Sequence, residues 1–205
     1  MVKSAPSLTL SFFFLFGITT LNFTPSFSEA PEKVVDSQER PVSSAAKYYL
    51  LPFFPGPEGG AITLGQAENS ACPVAVLQPT DETDPGLAVK FGTGGTSSGD
   101  IFTETPLDVA FVDKPSCASS FNWVVVSDDF PGIWVGIGGE GDHPGKKVVP
   151  GKFIVQKFGL GYKLVFCFDS SDSSTCYGIG RHDDVQERRL VLNNEPFEFS
   201  IINGS

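Results

Sequence analysis

From residue 30 onward, apolar and polar positions alternate along most of the chain. In LAVKF (87–91) Leu87, Val89 and Phe91 fall on one face, and in LDVAF (107–111) Leu107, Val109 and Phe111 do the same. FNWVVV, GIWVGI, KFIVQKF, YKLVFCF, RRLVL and FEFSII are further alternating or wholly apolar runs. A period of two puts successive side chains on opposite faces of an extended strand, so each run predicts a short strand with a buried face. Between them lie DDFPG, GGEGDHPG, DSSDSS and LNNEP, rich in the Gly, Pro, Asn and Asp that turns require. No segment longer than about ten residues carries a helical period. The chain reads as all-β, either a barrel or a sandwich, and alternation alone does not choose between them.

The first residues follow a different rule. Lys3 precedes SLTLSFFFLFGITTL, an apolar run too short to span a bilayer and interrupted by Ser11, Thr19 and Thr20. A basic start, an apolar run and the small residues Ser26 and Ser28 ahead of Glu29 predict a secretory signal peptide over residues 1–28. The remainder, 29–205, is the right length for one domain. The expected destination is the apoplast or, after entry into the secretory pathway, the vacuole. Lys and Arg number 14 against 24 Asp and Glu, a formal charge of −10. That balance favours a soluble monomer and argues against nucleic acid and anionic membrane surfaces as partners. RHDDVQERR, the densest basic stretch, carries acids that roughly cancel its bases.

An oxidising compartment changes how cysteines read. Cys72, Cys117, Cys167 and Cys176 allow three pairings into two disulfides. Local closure across DSSDSSTC favours Cys167–Cys176, which leaves Cys72–Cys117. No C-x-x-C pair is present, and only His143 and His182 could complete a zinc site, so a structural role is expected, with no metal and no cofactor.

Residues 92–99, GTGGTSSG, invite a phosphate-binding reading that fails. After Gly99 a P-loop needs lysine and a hydroxyl, where this chain has Asp100 and Ile101, and strand-like FTETPLDVAF follows where a helix belongs. The dinucleotide fingerprint fails because Ser97 stands at the third glycine position. Ser97 or Ser98 with His143 or His182 and an aspartate could be drawn as a catalytic triad, but no G-x-S-x-G elbow supports one. Both histidines are expected at the surface, with His182-Asp183-Asp184 a solvated turn. Trp123 and Trp134 are expected in the core, and KYYLLPFF in a barrel wall.

Three stretches resemble the plant Kunitz-type, soybean-trypsin-inhibitor-like family. They are VVDSQERPVSSAAKYYLLP near the start of the mature chain, Gly59-Gly60 followed by CPVAVLQ, and the closing GYKLVFCF…C…IG…RRLVLNNEPFEFSI. The resemblance implies a β-trefoil, a capped six-strand barrel with pseudo-threefold symmetry. It also implies one long-range and one short-range disulfide, and a protease inhibitor instead of an enzyme. Members insert an exposed loop, held between the first two cysteines, into a serine protease cleft as a substrate mimic. By position that loop is GTGGTSSGD, with the specificity residue among Thr96, Ser97, Ser98, Gly99 and Asp100 and Ser98 at the centre. The family's loop-bracing asparagine falls on Ser44. Trypsin-directed members carry Arg or Lys at the specificity position and this chain has none there, which predicts weak trypsin inhibition and a better fit to elastase- or subtilisin-like pockets. Other roles within the family are cysteine-protease inhibition through a different loop, storage or stress response without inhibition, and small-ligand binding.

Overall fold

In the computed structural model the described residues are 30–204 apart from 55, 57, 67–69, 95–98, 128–131, 170–174 and 184–187. The stretch 1–28, expected from the sequence to be a signal peptide, lies outside them. The strands, in chain order, are β1 (Tyr48–Pro52), β2 (Thr63–Gly65), β3 (Ala75–Gln78), β4 (Val89–Gly92), β5 (Pro106–Phe111), β6 (Trp123–Ser127) and β7 (Ile133–Ile137). After a 3-10 turn at Glu140–Asp142 come β8 (Lys147–Val149), β9 (Lys152–Phe158), β10 (Gly161–Cys167), β11 (Cys176–Asp183), β12 (Arg188–Asn193) and β13 (Phe199–Asn203). No helix among the described residues is long and apolar enough to cross a membrane.

Pairing closes six of these strands into a ring. β1 pairs with β13 and β4, β4 with β5, β5 with β9, β9 with β10, and β10 returns to β13 through Tyr162 and Phe199. The other hairpins, β2–β3, β6–β7 and β11–β12, meet at one end, where β3, β7 and β12 pair with one another in a triangle. A closed ring under a triangle of hairpins is the capped, threefold architecture of the β-trefoil. Closure settles the choice between barrel and sandwich, and it leaves the six ring strands without the open sheet edges that invite aggregation.

Alternation decides what fills the ring. Val89, Phe91, Leu107, Val109 and Phe111 are all buried while Lys90 and Asp108 face out, and Leu87 packs half-buried against the same cluster. Each large apolar side chain withdrawn from water stabilises the fold by about 1.5–3 kcal/mol, the main force holding the barrel shut. Trp123 and Trp134 lie in the core as expected. KYYLLPFF forms barrel wall through Pro52, after which Phe54 stands out at 55 % exposure. The disulfides are Cys72–Cys117, with Cα atoms 5.9 Å apart, and Cys167–Cys176, at 4.0 Å.

Two expectations are corrected. His143 is not a surface residue: only 3 % of it is exposed, Nε2 lies 2.9 Å from the Ile137 carbonyl, and the ring meets Trp134 edge-on. Gly136 makes the room, since a Cβ there would come within 2.9 Å of the Trp134 ring and 3.1 Å of His143. His182 and Asp183 are not in a turn but in a strand, with Asp183 still exposed, and Asp184 lies outside the described residues. Both residues continue β11, opposite Arg189 and Arg188 on β12, so Asp183 and Arg188 face each other across the strand pair.

Burial lowers the His143 pKa below its ordinary 6.5, against the smaller opposing pull of the Ile137 carbonyl and of Asp142. Between that lowered value and 6.5 the unfolded chain binds a proton the folded chain refuses. The contribution of neutral His143 is therefore complete above 6.5 and is lost as pH falls toward the folded value. Asp36 and Asp142 act in a lower window: burial opposes their ionisation but is outweighed by hydrogen bonds, from Arg40 and from Ser119 respectively, so their contributions fade only below 3.8. Melting temperature should fall between pH 7.5 and pH 5, and His143→Gln should flatten that slope. An unchanged slope in the variant would remove His143 from the account.

Candidate inhibitory loop

The loop between β4 and β5 is anchored at both ends, by different devices. At its entrance Gly92 pairs with Asp108, and the Asp108 carboxylate takes two 2.8 Å hydrogen bonds from the Lys152 ammonium on β9. At its exit, residues 99–103 run between two earlier segments, 32–35 and 41–44. Three buried residues close a cycle there. Val34 N–H donates to the Ile101 carbonyl at 2.9 Å, Ile101 N–H to Val42 at 2.8 Å, and Val42 N–H to Val34 at 2.8 Å. All three side chains belong to the main core, so the exit arm cannot shift without opening the barrel's hydrophobic interior.

The two earlier segments are themselves locked together by the turn between them. Asp36 is buried, and its Oδ1 accepts the backbone N–H groups of Gln38 and Arg40 at 2.8 and 3.0 Å. Its Oδ2 takes Nε and Nη2 of Arg40 at 2.9 and 2.8 Å, a forked, charge-assisted contact. Beyond the exit arm, Glu104 holds a φ of 56°, the left-handed region, and Gln156 donates to its carboxylate at 2.9 Å.

Of the residues the sequence singles out for the loop, Thr96, Ser97 and Ser98 lie outside the described residues. Gly99, Asp100 and Ser44 are described, and the fold brings them together although 55 residues separate Ser44 from Gly99. Gly99 N–H donates to Ser44 Oγ at 3.1 Å, and Ser44 N–H donates back to the Gly99 carbonyl at 3.0 Å. The segment carrying Ser44 is tied to the barrel, because the hydroxyl of buried Tyr48 accepts the Ser43 N–H at 2.7 Å. A continuous path of hydrogen bonds thus runs from β1 to the exit of the loop.

Sequence reasoning missed Lys33, whose Nζ lies 2.6 Å from Asp100 Oδ2, and the cycle of Val34, Val42 and Ile101. The cycle had a signal: VV and PV flank the turn DSQER as apolar residues flank a hairpin. The ion pair had none. Of the two histidines on which a triad could be drawn, His143 has its ring buried against Trp134 and the Ile137 carbonyl, and Ser97 and Ser98 lie outside the described residues. Among the described residues no group of three His, Cys, Asp or Glu could hold a metal.

Comparison with known proteins follows the same frame. The family described as "Trypsin and protease inhibitor", of the Kunitz legume type, matches residues 34–202. A subtilisin inhibitor of Canavalia lineata, CLSI-II, is 44 % identical over 178 residues, covering 84 % of this chain and 92 % of its own. A Kunitz-type trypsin inhibitor-like 2 protein of Pisum sativum is 39 % identical over 204 residues, covering 98 % of this chain and 93 % of its own. The crystal structure of a Kunitz-type trypsin inhibitor from Cicer arietinum superposes with a TM-score of 0.79 at 40 % identity, over 85 % of this chain and 99 % of the other. These relatives are named as inhibitors or inhibitor-like proteins and not as enzymes, and with the trefoil and its two disulfides they place this protein: the chain belongs to the Kunitz-type family of trypsin and protease inhibitors.

Proposed function

We propose that residues 96–100 are a substrate-like loop that occupies the cleft of a secreted serine endopeptidase with a small specificity pocket, of the subtilisin or elastase kind. The observation that carries this reading is the reciprocal pair of hydrogen bonds between Ser44 and Gly99. It fixes the backbone next to the specificity position, which lowers the ordering cost that binding would otherwise incur. Small side chains at Ser97 and Ser98 suit a shallow pocket, and the name of the Canavalia relative points the same way. A trypsin pocket would be left with its acid unpaired, a loss of about 2–5 kcal/mol against a basic residue. Signal-peptide removal after Ser28 would deliver the inhibitor to the apoplast or vacuole, where it acts as a monomer.

Ser44→Ala tests the brace. It removes one neutral hydrogen bond, worth about 0.5–1.5 kcal/mol, so the inhibition constant against subtilisin should rise roughly two- to twelvefold. The melting temperature should move little. Unchanged inhibition in a folded variant would mean that Ser44 braces nothing the protease needs.

A further inference from the structure

The exit arm of the loop carries one charged contact that its backbone hydrogen bonds do not explain. Asp100 directly follows Gly99, and its Oδ2 meets Lys33 Nζ at 2.6 Å. Lys33 belongs to the first described segment, which crosses the exit arm as an antiparallel strap. Lys33 bridges Phe102, Thr103 N–H donates to the Glu32 carbonyl at 2.8 Å, and Glu32 N–H donates to Thr103 Oγ1 at 2.9 Å. The far side of the strap is held by an ion pair between Glu32 and Lys157 on β9. Side chains alternate along the exit arm: Ile101 and Thr103 point into the protein, while Asp100 and Phe102 point out.

We infer that Lys33 is a positioning residue for inhibition, acting through Asp100 to hold the loop's exit arm in the orientation a protease accepts but cleaves slowly. The inference rests on the loop reading above and adds to it a residue about which the family's basic-residue pattern says nothing. Its physical basis is local. The two side chains remain 53 % and 36 % exposed, so water and salt screen the pair and its share of global stability is small. The arm itself is what it steadies. An inhibitor that mimics substrate resists hydrolysis only while the groups on either side of the attacked peptide bond stay in place, and Asp100 sits on the leaving side of any bond cut within 96–99.

The experiment uses the mature protein with subtilisin and measures three things: the inhibition constant, the rate at which bound protease cuts the loop, and the melting temperature. At low salt Lys33→Met should raise the cleavage rate about two- to fivefold, the range that exposed ion pairs supply, with the melting temperature unchanged. Lys33→Arg should restore the wild-type rate. Raising salt to about 1 M should bring the wild type to the variant's rate and leave the variant unmoved. In an Asp100→Asn background Lys33→Met should have no further effect. A Lys33→Met protein cut no faster than wild type, or effects of the two substitutions that simply add, would overturn the positioning role while leaving the loop reading intact. A wild type that neither inhibits subtilisin nor is cut within 96–100 overturns both.

Discussion

Ser98→Arg combined with Ser44→Asn should turn this chain into an effective trypsin inhibitor. Arginine supplies the charge that pairs with the acid deep in the trypsin pocket, and the asparagine side chain adds a longer reach and two amide donors to the brace now made by the Ser44 hydroxyl and backbone N–H. A charge-assisted contact in a desolvated pocket is worth about 2–5 kcal/mol, so affinity should rise some thirty- to several-thousandfold. The far-ultraviolet circular dichroism spectrum should not change, because neither substitution touches the backbone cycle of Val34, Val42 and Ile101 that ties the exit arm to the barrel. Thr96→Arg and Ser97→Arg, each with Ser44→Asn, locate the specificity position by comparison. If no arginine placed in 96–100 improves trypsin binding, the loop is not the inhibitory element.

Breaking the longer disulfide should be the most damaging change to stability. Cys72–Cys117 spans 45 residues and Cys167–Cys176 spans 9. Chain-entropy arguments assign losses of about 4 kcal/mol to opening the first and about 2.6 kcal/mol to opening the second. Against a typical total of about 5–15 kcal/mol, the first loss alone removes a large share of the folded state's margin. Urea unfolding of Cys72→Ser/Cys117→Ser and Cys167→Ser/Cys176→Ser should rank them in that order. The reverse order would show that the sheet pairing around Cys167 and Cys176, where β10 meets β11, matters more than the restriction of the unfolded chain.

The sequence makes the strands plain and their partners obscure. KFIVQKF matches β9 residue for residue, because an alternating apolar run between turn clusters has few other states open to it. Closure of the barrel depends on Tyr48–Pro52 pairing with Phe199–Asn203, at opposite ends of the described chain, and no local pattern reports a contact of that range. Only the resemblance to a family supplied it. His143 misleads for a related reason. GGEGDHPG is written in turn residues, yet the chain folds back and seats the imidazole over Trp134, in space left by Gly136. Asp183 and Arg188 look like unrelated charges until strand pairing sets them opposite each other, with Asp183 still largely exposed. At the loop, Ser44 was legible through the family pattern, whereas Lys33 lies 67 positions before Asp100 and nothing in either neighbourhood links them.

The central claim is that a serine protease engages the chain at residues 96–100. Incubating the mature protein with a slight molar deficit of subtilisin, then comparing intact mass before and after reduction, tests it most directly. Because the loop lies between Cys72 and Cys117, a chain cut there stays joined by that disulfide. The account predicts an inhibited protease and an unreduced inhibitor heavier by one water. Reduction should then release two fragments, the second beginning between residues 97 and 101. Inhibition with a cut elsewhere, or rapid degradation with no inhibition, would contradict it.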